Sequence, residues 1–500
     1  MRKTQNNHAV VHTSKRIYEM FKSQIVEGNL RIGAKLPSTR ALAIEQGISR
    51  TTVTVVYEQL AAEGYIETSV GAAPRVAAVL TKTPDALKTS QRSLHELQLS
   101  TYSYRTIHFD LPIAPIAPAA HSVIDFLYGA LSPADFPTLA WRRAYDRALR
   151  QQQPWLYYAT AQGDPALRVE LQGYLRRARG LICHADQILV VNGSQQAIDL
   201  CARVLLDPGD RVAIEEPCYL MAYRVFKAAG ANVQEVPVDE NGLITRALPK
   251  QRIKLVYVTP SHQFPLGGVM PIARRQELLA WARHNGAWVV EDDYDGEFRH
   301  GLRPVDALQS IDEIGSVIYI GTFSKALSPQ LRIGYMVLPA LLLNAFCQAK
   351  TLTDRHTPHL EQVALGSLIR SGAYERHIRR MRRDNERRRT TILQSIKQYL
   401  PANSHVEGAA AGLHIVLWVT NLRASDEAEL VVLALKQGVG IRPISPMYTR
   451  GQTHRKRDCP GFVLGYAGLD HGDIKRGICK LAAVVAQFDR ESPVKTTTHR

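Results

Sequence analysis

Lys325 stands in the run Gly321-Thr322-Phe323-Ser324-Lys325-Ala326-Leu327-Ser328-Pro329-Gln330-Leu331-Arg332. A lysine amine that attacks a carbonyl needs a partly dry, oriented site, and its product is a Schiff base. Thr322 and Ser324 place hydroxyls close by. Arg332 follows just before the strand-like Ile333-Gly334-Tyr335-Met336-Val337-Leu338, and its guanidinium can grip a phosphate through paired hydrogen bonds. This combination suits a phosphate-bearing aldehyde such as pyridoxal 5'-phosphate (PLP), which brings both the carbonyl and an electron sink. An ordinary surface turn uses the same residue types, so the run has to be weighed with the rest of the chain.

Other groups of the same kind recur at the ends of strand-like segments. After Ile188-Leu189-Val190-Val191 comes Asn192-Gly193-Ser194-Gln195-Gln196, where glycine permits close backbone approach and a helix begins, a setting that favours phosphate. After Trp288-Val289-Val290 comes Glu291-Asp292-Asp293-Tyr294-Asp295. One of these carboxylates can keep a pyridine nitrogen protonated, and Tyr294 can hydrogen-bond a ring oxygen. A metal site or a solvated turn reads from the same acids, although no histidine lies close by in sequence. Tyr219, in Glu215-Glu216-Pro217-Cys218-Tyr219, can lie against an aromatic ring or simply fill a core. Thr259-Pro260-Ser261-His262-Gln263-Phe264-Pro265-Leu266-Gly267 completes the ordered set.

The elements that must position these residues alternate. Segments 188–191, 211–215, 254–258, 288–291 and 317–320 are short, apolar and rich in β-formers, and helices lie between several of them. That pattern predicts an α/β layered domain with ligands beyond the carboxyl ends of its strands. The chain has 500 residues, too many for one core. Its net charge of +16 and pI of about 9.6 favour a polyanionic partner. Six cysteines without a CxxC or a His/Cys cluster argue against structural zinc and a disulfide framework. No apolar signal core or spanning run is present, so a soluble cytoplasmic protein without a membrane partner is expected.

Composition changes near residues 78 and 122, predicting a head over 11–78, a semi-extended linker over 79–121 containing Pro112, Pro115 and Pro118, and a larger domain over 122–490. In the head, Ile17, Met20, Phe21 and Ile25 share a helical face before Gly28, and Ser38 and Ser49 read as N-caps of two short helices. Val53, Val56, Tyr57 and Leu60 form the inner face of the second. Arg50, Thr51, Thr52 and Thr54 are left to the start or outer surface, as a helix that enters a major groove requires. Residues 64–76 then read as a wing hairpin. A small helical bundle is the plainer reading.

Leu36-Pro37-Ser38-Thr39-Arg40, Ile48-Ser49-Arg50-Thr51-Thr52-Val53 and Leu60-Ala61-Ala62-Glu63-Gly64-Tyr65-Ile66 resemble the winged helix-turn-helix of GntR-type bacterial regulators. The resemblance implies double-stranded DNA as partner, with Lys35, Ser38, Arg40, Ser49, Arg50, Thr51 and Thr52 at the interface and the domain working as a pair on repeated half-sites. The tip Gly71-Ala72-Ala73-Pro74-Arg75 lacks the usual Gly-Ser-Gly-Thr run.

Residues 122–490 resemble fold-type I PLP-dependent aminotransferases, with a smaller subdomain within about 340–490, and the whole chain resembles the MocR branch of the GntR regulators. That resemblance makes Lys325 the internal-aldimine lysine, Asp292 rather than Asp293 the pyridine partner, Tyr294 and His262 the groups near the ring oxygen, and Tyr219 the stacking residue. Ser194, Gln195, Thr322, Ser324 and Arg332 would hold the phosphate, and Tyr157 and Tyr158 match a site-lining segment loosely. It also implies a homodimer. Where aminotransferases carry a carboxylate-clamping arginine, the resemblance places Gly468, with Arg442 as a possible substitute. Sensing of PLP, or of an amine or amino-acid effector, is therefore expected in a PLP-dependent DNA-binding regulator. A working aminotransferase with an appended DNA-binding domain is the alternative. The arginine-rich stretch 376–389 reads either as a solvated helix face or as a basic shelf for DNA.

Overall fold

The computed structural model describes residues 2–69, 72–78, 98–109, 123–151, 157–300, 306–400, 404–449 and 459–491, with side chains from residue 14 to residue 490. The chain forms two compact units, one through Leu99 and one from Ser100.

The first unit comprises α1 (Arg2–Val26), α2 (Thr39–Glu45), α3 (Arg50–Ala62), β1 (Ile66–Glu67) and β2 (Arg75–Val76). Ile17, Phe21 and Ile25 of α1 pack with Leu42 of α2 and with Val53, Val56, Tyr57 and Leu60 of α3. Gly28, at φ +78°, takes the left-handed turn that lets the chain leave α1. Ser38 Oγ accepts from Ala41 N at 3.2 Å and Ser49 Oγ from Thr52 N at 3.1 Å, so both predicted caps start their helices. The wing is a short antiparallel hairpin pairing Ile66 with Val76 and Glu67 with Arg75. Residues 70 and 71 at its tip lie outside the described residues.

The second unit opens with α4 (Thr101–Thr106), which falls inside the predicted linker. Arg105 Nε donates to Ala228 O at 2.8 Å, so this part of the linker is docked on the domain rather than spanning freely. Residues 79–97 and 110–121, including the prolines, lie outside the described residues. Next come β3 (Ile124–Asp125), α5 (Thr138–Arg150), α6 (Pro165–Arg179), β4 (Ile188–Val191), α7 (Ser194–Leu205), β5 (Arg211–Glu216), α8 (Leu220–Ala228), β6 (Asn232–Asp239), β7 (Gly242–Leu243), β8 (Leu255–Val258), α9 (Ile272–Asn285), β9 (Trp288–Asp293), β10 (Val317–Thr322) and β11 (Gly334–Val337). They are followed by α10 (Leu343–Asp354), α11 (His359–Arg370), α12 (Ala373–Tyr399), β12 (Ser404–Glu407), β13 (His414–Val419), α13 (Glu427–Lys436), β14 (Val439–Gly440), β15 (Arg442–Pro443), β16 (Gly461–Gly465) and α14 (His471–Glu491).

All five predicted strands enter one eight-stranded sheet, ordered β4-β11-β10-β9-β8-β5-β6-β7. β10, β9, β8, β5 and β6 run parallel, whereas β11 is antiparallel to both neighbours. Every residue of β4, β8, β10 and β11 is buried, consistent with helices covering both faces. A four-stranded sheet, β12-β13-β16-β15, packs with α12, α13 and α14 around a second core. β3 pairs with β14, and Phe126 is buried in that core, so the small subdomain also draws on the segment before the large sheet, which a start at residue 340 leaves out. Among the described residues no helix is long and apolar enough to cross a membrane.

Candidate cofactor site and nucleic-acid interface

The antiparallel course of β11 builds the site. β10 ends at Thr322, Lys325 follows in the turn, and β11 returns between β10 and β4, pairing Gly334 with both Thr322 and Val191. This brings Arg332 beside the turn after β4, where its Nη2 donates to Asn192 O at 2.9 Å. Arg332 is held left-handed at φ 52°, a conformation that costs a non-glycine residue about 1–2 kcal/mol and that the flanking strands must sustain. A Cβ on Gly193 would stand 2.7 Å from Arg332 Nη2, so glycine keeps this corner open. Ser194 and Gln195 open α7 on the same cavity, and Thr322 Oγ1 accepts from Ser324 N at 3.1 Å. Backbone N–H groups at a helix start, hydroxyls and a guanidinium together suit a phosphate.

Lys325 reaches across the cavity, its Nζ 3.5 Å from Gly129 O. A Cβ on Gly129 would meet that Nζ at 2.5 Å, so this position too depends on glycine. Burial lowers the lysine's pKa, with Asp295 and Asp292 opposing, and a larger fraction of the amine is therefore neutral and nucleophilic. Asp292 lies at the end of β9, where burial pushes its carboxyl up to about 7. Its Oδ2 accepts from Tyr257 Oη at 2.5 Å, and its Oδ1 is buried with no partner among the described residues. An unpaired carboxylate oxygen deep in the cavity is what a protonated ring nitrogen would occupy. Asp293 points elsewhere: its Oδ2 is held by Arg179 Nε at 2.6 Å and Tyr319 Oη at 2.5 Å, both buried. Asp293 Oδ1 is likewise buried without a partner, and what separates the two aspartates is that Asp292 lines the cavity and Asp293 does not.

Ser194, Gln195, Tyr219, Asp292, Tyr294, Thr322, Ser324, Lys325 and Arg332 all line this cavity. His262 does not. Its Nδ1 is 2.9 Å from Tyr294 Oη and 2.9 Å from Asp295 Oδ2, so it is tied to two residues of the lining without being part of it. Tyr157 and Tyr158 are exposed and outside the lining; the Arg355 guanidinium lies 4.4 Å from the Tyr158 ring centre. Arg442 Nη2 is paired with Asp125 Oδ2 at 2.8 Å and is also outside the lining. Gly468 lies past the end of β16 behind Ala130, whose Cβ is 3.3 Å from where its own Cβ would be. The β16 residue packed beside the cavity's aromatic wall is instead Val463, with Phe264, Tyr219, Tyr294 and Tyr128.

Tyr128, Gly129, Tyr257, Thr259, Phe264, Asp295, Pro329, Leu413 and His414 complete the lining and were not assigned as cofactor contacts from the sequence. Gly129, beside the linker boundary, carried only the weak signal of a glycine in a short Tyr-Gly turn. The sequence argument that no histidine lies near the acidic strand end does not hold in three dimensions. His262 and His414 converge with Asp295, their ligand-type atoms within 4.8 Å of one another, although His414 Nε2 also lies 3.0 Å from Pro265 O.

In the first unit Lys35, Ser38, Arg40, Ser49, Arg50 and Thr51 are exposed. Arg50 Nε donates to Thr39 Oγ1 at 3.3 Å, which ties the start of α3 to α2. Thr52 departs from the expectation: it is 7% exposed, its hydroxyl 2.8 Å from Ser49 Oγ, and it belongs to the helix cap. Val55, 56% exposed, takes its place on the outer face. The arginine-rich stretch is part of α12 and divides by face. Arg388 is buried against Asp135 and Arg382 donates to Glu297 O, whereas Arg376, Arg379, Arg383 and Arg387 form an exposed stripe at helical spacing. Arg379 and Arg383 have no partner among the described residues.

A helical reading head with a two-stranded wing, followed by a mixed eight-stranded sheet with a lysine-aspartate cavity at its strand ends, defines a DNA-binding module joined to a class I/II aminotransferase fold. Residues 13–76 match the gntR family of bacterial regulatory proteins, and residues 124–476 match the class I and II aminotransferases. The chain is 35% identical to the probable rhizopine catabolism regulatory protein MocR of Rhizobium meliloti over 95% of this chain and 94% of that protein. It is 30% identical to the pyridoxine biosynthesis transcriptional regulator PdxR of Corynebacterium glutamicum, over 96% and 98% respectively. Among solved structures, LysN, an α-aminoadipate aminotransferase from Thermus thermophilus bound to N-(5'-phosphopyridoxyl)-L-leucine, is 28% identical with a TM-score of 0.69, covering 79% of this chain and 98% of that one. The chain belongs to the MocR-type group of GntR-family transcriptional regulators, and PLP is the cofactor its C-terminal unit is built to hold.

Proposed function

We propose that this protein is a cytoplasmic, homodimeric DNA-binding regulator that uses its PLP site to sense PLP itself or a small amine, and that multiple-turnover transamination is not its role. The observation that carries this reading is charge placement. Among the described lining residues the one arginine is Arg332, engaged at the phosphate turn, while Arg442 is paired with Asp125. An amino-acid carboxylate entering beside Phe264 and Tyr128 finds no guanidinium among them, and an unpaired buried carboxylate is costly.

When bound, PLP supplies an electrophilic carbonyl and an electron sink. The chain's own part is to hold it. Ser194, Gln195, Thr322, Ser324 and Arg332 would bind its phosphate, and Asp292 Oδ1 would hold a proton on the ring nitrogen. Tyr294, backed by His262 and Asp295, would donate to the ring oxygen, and Lys325 would supply the covalent tether. Cofactor or effector state then biases operator affinity through the differential stability of two arrangements of the chain. Pairing of heads on repeated half-sites fits a single exposed reading helix per chain. Footprinting near the protein's own gene, with and without PLP and candidate amines, tests the proposal and should reveal a cofactor-dependent repeat. Sustained amino-group exchange with a keto-acid acceptor would overturn it.

A further inference from the structure

Behind the phosphate turn lies a buried charged cluster that takes no part in the cavity. Lys350, on α10, is 0% exposed. Its Nζ is 2.8 Å from both carboxylate oxygens of Asp354 at the end of the same helix. Asp354 Oδ2 also accepts from Asn192 Nδ2 at 2.5 Å and from Gln196 Nε2 at 2.6 Å. Gln196 Oε1 in turn accepts from Asn192 N at 2.7 Å. Asn192 is therefore gripped at its side chain and its amide by this cluster, while its carbonyl takes Arg332 Nη2 at 2.9 Å. Gly193 and Ser194 follow directly.

Burying an ammonium group is costly unless it is paired and hydrogen-bonded. Burial lowers the Lys350 pKa and the Asp354 contacts oppose that, so the charge persists only through the pair. A hydrophobic residue at position 350 would pack α10 against α7 at less cost. What the charged pair adds is direction: a carboxylate with three donors fixes the rotamers of Asn192 and Gln196 and hence the course of the backbone that presents α7 to a phosphate. The helix stops where this requires, since Arg355, next after Asp354, is held at φ 62° although it is not glycine.

We infer that Asp354, carried by Lys350 and acting through Asn192 and Gln196, is a positioning residue for the phosphate of the bound cofactor, so that its removal weakens phosphate recognition selectively. The inference rests on the cofactor reading above. It is tested on the full chain by comparing affinities for PLP and for pyridoxal, which lacks the phosphate, followed by absorbance. Asp354→Asn should weaken PLP by roughly 10-fold or more, the size of a lost charged hydrogen bond, and leave pyridoxal affinity unchanged. Asn192→Ala cuts the same connection without leaving Lys350 unpaired, so it should reproduce the selective loss even where Asp354→Asn fails to fold. Equal losses for both ligands in Asn192→Ala, or no loss, would overturn the inference by showing a merely structural cluster. A wild-type chain that binds neither ligand would instead overturn the cofactor reading, and this inference with it.

Discussion

Replacing Asp292 with asparagine should pull stability and cofactor binding in opposite directions. In the cofactor-free chain burial pushes the carboxyl from the usual 3.8 up to about 7. Between those values the folded chain holds the proton and the unfolded chain has released it, so stability falls as pH rises from about 4 to about 7. At about 1.4 kcal/mol per pKa unit, the whole interval comes to about 4 kcal/mol at neutral pH and above. Asparagine keeps an acceptor for Tyr257 and does not titrate. Glu215, Glu291 and Glu297 are also pushed up to about 7 by burial, so the wild-type pH dependence sums several groups and the variant subtracts one. Urea unfolding of the cofactor-free C-terminal unit at about pH 5 and about pH 8 should show the variant's advantage growing by roughly 2–3 kcal/mol. Its PLP affinity should meanwhile drop about 10- to 100-fold, because a charged hydrogen bond to the ring nitrogen is worth roughly 1.5–3 kcal/mol. Parallel stability-pH curves for the two proteins, or an unchanged PLP affinity, would refute the reasoning.

Lys325→Ala should abolish both the visible absorbance of the cofactor-loaded protein and any borohydride-reducible adduct; a retained adduct would move the tether to another amine. Arg50→Ala should cost roughly 1–3 kcal/mol in operator binding and relax discrimination at one position if Arg50 reads a base, whereas a uniform loss across sequences would make it a phosphate contact. Charge-neutral substitution of Arg379 and Arg383 on the exposed stripe of α12 should flatten the salt dependence of DNA binding if that face neutralises phosphates. An unchanged slope would leave the stripe as solvated surface.

Much of the site was legible because its residues belong to local motifs at strand ends. Nine of the ten predicted cofactor-contacting residues line the cavity, and each follows a short apolar strand or a helix start. The tenth, His262, stands outside the lining and hydrogen-bonds two residues within it, Tyr294 and Asp295, an arrangement across strands that spacing does not encode. Thr52 failed similarly, since a threonine three residues past a capping serine can turn inward to its hydroxyl. Gly468 lies past the end of β16, and the return of that strand packs Val463 with the aromatic wall, a placement set by strand pairing rather than by a local motif.

The sequence by itself determined the two-unit organisation, the parallel strands, both helix caps of the reading head and the grouping of Thr322, Ser324 and Lys325 at one strand end, because each rests on local periodicity or on residues within one turn. The tertiary structure alone decided which of two adjacent aspartates lines the cavity, the insertion of β11 that swings Arg332 onto the turn after β4, the dependence on Gly129, and the buried pairing of Lys350 with Asp354 behind that turn. Those features arise from strand order and from contacts between segments remote in sequence. A one-residue alternation along β9 sends Asp292 and Asp293 to opposite faces, but only the packed sheet shows which face carries the site.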